Sequence, residues 1–74
     1  METKFKVGDV IIRSAYRKSS SKLMRDEQKI LAIVSDEHPI KSRVWYITRS
    51  YKGELCSGLQ FVIEDCFEKL SSNQ

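Results

Sequence analysis

The chain has 74 residues, 41% of them hydrophobic and 31% charged, and a formal net charge of +3. That is the size of one domain, too apolar for a wholly disordered chain, with no apolar run near the roughly 20 residues of a membrane span. A chain this short buries only about 60% of the surface its unfolded form exposes, so its core is thin.

Phe5 and Val7 alternate with Lys4 and Lys6, as in a half-buried strand. Gly8-Asp9 is a turn signal, because Gly accepts positive φ and Asp can bond nearby backbone. Val10-Ile11-Ile12 follows as a β-branched strand. From Arg13 to Glu27 the alternation fails around Ser19-Ser20-Ser21, and the expectation is a long loop. Within it, Lys22 to Glu27 suits a helical turn with Ser21 as N-cap. Loops of this length are often functional. With few apolar anchors beyond Tyr16, Leu23 and Met24, this one is expected to be ordered mainly by a partner.

Ile30-Leu31-Ala32-Ile33-Val34 is a short continuous apolar run, as in a central strand. Asp36-Glu37-His38-Pro39 reads as a turn or loop, and Arg43 to Tyr51 as the third long strand. In that strand, Trp45 and Ile47 are expected to face the core, with Tyr46 and Thr48 outward. Lys52-Gly53-Glu54 turns the chain, and Leu59 to Ile63 returns as a strand. A single turn at Glu64-Asp65-Cys66 leads to a last short strand through Leu70. The expected core is Phe5, Val7, Val10, Ile12, Ile33, Trp45, Ile47, Phe61, Ile63, Phe67 and Leu70. Residues 1–70 form the domain, and 71–74 are a polar tail.

Five short strands with one long loop after the first are the order of a small barrel whose last strand returns to pair with the first. The closing run Gly58-Leu59-Gln60-Phe61-Val62-Ile63-Glu64-Asp65-Cys66-Phe67-Glu68-Lys69-Leu70 resembles the end of SH3 domains: a strand, one 3₁₀ turn, a short final strand. The opening Phe5-Lys6-Val7-Gly8-Asp9-Val10-Ile11 resembles the first strand of SH3-like and KOW-like barrels. The resemblance implies a mainly β, five-stranded SH3-like barrel. The chain lacks the Ala-Leu-Tyr-Asp-Tyr run, the double Trp and the closing Pro-x-x-x-Tyr of peptide-binding SH3 domains, so no polyproline ligand is implied. Size and style also resemble the small accessory proteins of bacteriophages.

Chemistry-bearing motifs are few. There is no glycine-rich phosphate loop. His38, the one histidine, sits beside Pro39 in a polar loop, where neither a general base nor a catalytic pair with Cys56 is favoured. Cys56 and Cys66 do not make the clustered pairs of a zinc site and are expected as free thiols, one in a loop and one packed near the closing turn. Glu64-Asp65 is expected to cap backbone amides. No catalytic residue, metal or cofactor is expected. The opening Met1-Glu2-Thr3-Lys4 does not read as a secretory signal, and a cytoplasmic location is expected.

Charge is uneven. Residues 1–50 hold 11 Lys/Arg against 6 Asp/Glu, and residues 51–74 hold 2 against 4. Arg13, Arg17, Lys18, Lys22 and Arg25 run with no acid among them. Together with Tyr16, and with Tyr46 between Arg43 and Arg49, they are the candidate partner-binding residues, since Tyr and Arg are enriched at interface hot spots. Two readings follow: a protein-binding module, in one form a phage-encoded inhibitor or modulator of a host protein, or a nucleic-acid-binding barrel with the basic loop on phosphates. A charge of +3 with ten acids interspersed, and no row of exposed rings for base stacking, favours the protein partner.

Overall fold

The computed structural model describes residues 2–36 and 43–70. Five strands form one antiparallel sheet: β1 (Val10–Arg13), β2 (Gln28–Asp36), β3 (Arg43–Ser50), β4 (Leu55–Leu59) and β5 (Phe67–Lys69). Their order across the sheet is β4-β3-β2-β1-β5. The last strand returns to the first, with Ile11 opposite Lys69 and Arg13 opposite Phe67. β4 and β5 are the two sheet edges and form no ladder with each other, so the sheet is mainly β as expected but is not closed. No helix among the described residues is long and apolar enough to cross a membrane.

The opening segment is not a strand. Phe5 is fully buried, but Val7 is 62% exposed. The reason lies in its backbone donors, which side chains take instead of a ladder. The Lys4 N–H donates to the Glu64 carboxylate at 2.9 Å, the Phe5 N–H to the Tyr46 hydroxyl oxygen at 3.2 Å, and the Lys6 N–H to Asp9 at 2.9 Å. The Asp9 N–H then closes a turn on the Lys6 carbonyl, and Gly8 within it has φ +97°, a value side-chain-bearing residues avoid.

β2 carries a bulge between Ile30 and Ala32. An ordinary strand would turn Ile30 and Ile33 to opposite faces, because they are an odd number apart. The extra residue lets Ile30 lie fully buried and Ile33 pack against the same core. That core holds Phe5, Ile11, Ile30, Tyr46, Ile63 and Phe67.

The segment expected as a strand from Leu59 to Ile63 is instead helix α2, Gln60–Cys66, and it also replaces the expected single turn. Gln60, Ile63, Glu64 and Phe67 recur at helical spacing and turn to one side. Ile63 lies directly on Gly58, where its side chain fills the space a Cβ would need, at 2.8 Å. The same turn of helix sends Phe61 out to 71% exposure, so Phe61 is not core. Leu70 is also exposed, and Val10, Trp45 and Ile47 are only partly covered.

Candidate functional site: the outer face of the sheet

The long loop carries local structure of its own. A 3₁₀ turn spans Ser14–Tyr16, and helix α1 spans Lys22–Arg25. Ser21 is its N-cap as expected, its hydroxyl accepting from the Met24 N–H at 3.4 Å. Asp26 ends the helix in the left-handed conformation, φ 50°. Arg13 pairs with Asp26 at 3.4 Å and lies 5.4 Å over the ring of its cross-strand neighbour Phe67. Arg25 pairs with Glu27 at 3.5 Å. Two of the five loop cations are therefore tied into the fold. Tyr16, Arg17, Lys18 and Lys22 are exposed, and among the described residues those three cations have no ion pair.

Tyr46 is not on the surface. It is fully buried, and with Val44 and Thr48 it forms the inner face of β3. Its hydroxyl donates to Glu64 at 2.5 Å while accepting from Phe5. Gln60 also donates to Glu64, at 3.0 Å. Burial would push the Glu64 carboxyl up. The Tyr46 hydroxyl, the Lys4 N–H and the Gln60 amide outweigh that and hold it below its ordinary value. Tyr46 is shifted up, first by burial and then by the neighbouring Glu64 carboxylate, to which it donates. Glu64 thus caps a backbone amide, as expected of the acidic pair, but from a helix and for the N-terminal segment. Thr48 has a buried partner too, donating to the Gln28 side-chain oxygen at 2.5 Å.

The opposite face of β3 carries Arg43, Trp45, Ile47 and Arg49. In an antiparallel sheet, residues directly opposite share a face. The registers place Val34, Trp45 and Leu59 in one row, Ala32, Ile47 and Ser57 in the next, and Lys29, Arg49 and Leu55 in a third. Val34 and Leu55 are exposed, and Trp45, Ile47, Ala32 and Leu59 are half-buried. The result is an apolar stripe across three strands, bounded by Arg43 on one side and by Lys29 and Arg49 on the other.

Of the nine candidate binding residues, Arg43 and Arg49 lie together on this face, and Tyr46 points away from it. The sequence contains the signal that decides this. Arg43, Trp45, Ile47 and Arg49 have the same parity along one strand, and two arginines do not both face a small core. Trp45, Ile47, Val34 and Leu59 are the site residues that the expected orientation of β3 left out.

Cavities open beside the sheet among the described residues. One of about 270 Å³ lies where Lys29, Arg49 and Tyr51 meet the start of β2. Another, about 240 Å³, lies between the inner side of β4 and α2, with Cys56, Cys66, Val62 and Phe67 among its walls. Both cysteines are free and exposed, with Cys56 on β4 rather than in a loop and Cys66 at the end of α2 rather than packed. Among the described residues no cluster of three metal-ligating side chains occurs. His38 lies outside the described residues, as do most of the turn through Pro39 and the 71–74 tail.

Comparison with protein-family models, curated proteins and solved structures found no match to this chain.

Proposed function

We propose that the chain is a non-enzymatic binding module that acts by protein–protein contact, with the outer face of β2, β3 and β4 as its contact surface. The observation that carries this reading is the apolar stripe around Trp45 with arginines at its rim. Fully packed interface centres are apolar and depleted in charge, and Trp and Arg are the side chains that most often dominate binding energy there. The partner this favours has an apolar centre and acidic groups placed to meet Arg43, Lys29 and Arg49. The loop cations Arg17, Lys18 and Lys22 would then steer encounter. A phage-encoded modulator of a host protein is one form of this reading, resting on resemblance in size and style. An SH3-like barrel is likewise the proposed family of folds, supported by the return of β5 to β1.

The second reading, nucleic-acid binding, is supported by the three exposed loop cations that have no ion pair among the described residues. It requires phosphate contacts and hence a steep loss of affinity with salt. The outer stripe is mostly aliphatic around one Trp and offers no succession of rings for base stacking.

The test is affinity capture from the native source with the wild-type chain and with Trp45→Ser, followed by binding of the captured protein at two salt concentrations. The expected result is a partner held by the wild type, lost at least tenfold by Trp45→Ser, and released only modestly by salt. Gel shifts with mixed DNA and RNA form the other arm. Retardation that collapses with salt and with Arg17→Glu/Lys18→Glu, but ignores Trp45→Ser, would replace this reading by the second.

A further inference from the structure

The two edges of the sheet are built differently. β5 has three residues, and two of them, Glu68 and Lys69, are charged. Lys69 is also held to Asp9 at 3.5 Å. Charged and very short edge strands are how proteins keep a sheet from pairing further. β4 has none of these devices. Its five residues, Leu55-Cys56-Ser57-Gly58-Leu59, include no charge and no proline, and the first three are exposed.

The Ser50 N–H donates to the Glu54 carbonyl at 2.8 Å. Alternation along an antiparallel ladder then turns the backbone groups of Cys56 and Gly58 toward β3. It turns those of Leu55 and Ser57, and the N–H of Leu59, to the free edge. The Leu59 carbonyl begins α2. These edge groups have no backbone partner among the described residues.

We propose that two copies of this chain join edge to edge along β4, antiparallel, about a two-fold axis at Ser57. The strand is self-complementary in that register: Leu55 meets the other copy's Leu59, Cys56 meets Gly58, and Ser57 meets itself. On the outer face, apolar meets apolar, and Leu55, 65% exposed in one copy, gains an apolar cross-strand neighbour. On the inner face, the cysteine lies beside a residue with no side chain. Neither copy brings a charge to the seam, so a second β4 docks without an unpaired ion, whereas a charged edge such as β5 does not. About four backbone hydrogen bonds form, two at the axis and one on each side. The outer stripes of both copies end up on one side of a continuous sheet, with Leu55 and Leu59 shared between stripe and seam. A seam this small gives weak association.

The test is sedimentation velocity over a concentration series, with amide hydrogen exchange by NMR at the two ends of that series. The expected result is a monomer–dimer equilibrium in which the Leu55, Ser57 and Leu59 amides slow as concentration rises. The Cys56 and Gly58 amides, already bonded to β3, should not change. Ser57→Pro, which removes an edge donor, and Leu55→Lys, which places a charge at the seam, should each weaken association more than tenfold. Leu55 is exposed, so the second variant reads the seam even if the first fails to fold. A chain that stays monomeric at millimolar concentration overturns the proposal. So does a dimer whose three edge amides exchange at a rate independent of concentration, or one that survives Leu55→Lys but dissociates with Trp45→Ser.

Discussion

The two faces of β3 differ in what their side chains are bonded to. The inner face carries Val44, Tyr46 and Thr48, and both polar members have a hydrogen-bond partner: Glu64 and the Phe5 N–H for Tyr46, Gln28 for Thr48. The outer face carries Trp45 and Ile47 between Arg43 and Arg49. By hydrophobicity alone the larger apolar pair belongs inside. Flanking charge decides otherwise, because turning Trp45 inward would take both arginines with it. Once that face is outward, Tyr46 and Thr48 are buried at tolerable cost only because Glu64 and Gln28 satisfy them. The apolar pair left outside makes the surface stripe.

The largest expected effect comes from the inner side. Phe67 is core to β5 and α2, and Phe67→Ala should cost about 3–5 kcal/mol by chemical denaturation, because so thin a core cannot refill the cavity. Tyr46→Phe sharpens the comparison. It leaves the buried Phe5 N–H without an acceptor and should cost about 1–3 kcal/mol, although it removes one oxygen. If Tyr46→Phe were neutral, polar satisfaction would not explain why this ring faces inward. Thr48→Val strands the Gln28 oxygen and should cost a similar or smaller amount. Trp45→Ser, on the other face and half-buried, should cost about 1 kcal/mol of stability while weakening partner binding at least tenfold. A loss above that of Tyr46→Phe would make Trp45 a core residue.

Acid titration tests the same face. Glu64 ionises below its ordinary value of 4.5 in the folded chain. Its contribution is therefore fully present above pH 4.5 and lost as pH falls from there through the folded value. Glu64→Gln should flatten that acid limb of the stability curve, and Tyr46→Phe should make it shallower. Tyr46 has the opposite sign. Its value is raised, so its contribution is intact below pH 10.0 and lost as pH climbs through the folded value.

The strands were legible in the sequence because they rest on local chemistry. The β-branched run of β1, the apolar run of β2, the turns at Gly8 and Gly53, and the Ser21 cap all depend on near neighbours. The return of β5 to β1 was legible as well. What escaped depends on distant partners. Phe61-Val62-Ile63 has strand composition, and it is helical because Glu64 must reach Lys4, 60 residues away, and Tyr46, while Ile63 seats on Gly58. For the same reason the opening segment is not a strand, since its amides serve Glu64 and Tyr46. The candidate face was half legible: Arg43 and Arg49 were named and lie on it, while Tyr46 and Trp45 were assigned to the wrong faces.

Trp45 is the chain's one tryptophan, so its fluorescence reports the outer face with no background from another indole. Acrylamide quenching of the native chain, with and without the captured partner, is the most direct measurement of the central claim. With the outer face as the binding surface, the half-buried indole of the free chain is partly open to acrylamide, and its emission shifts to the blue and is shielded further when the partner binds. Emission fully shielded in the free chain, or unchanged by a bound partner, would contradict the assignment of Trp45 to the contact face.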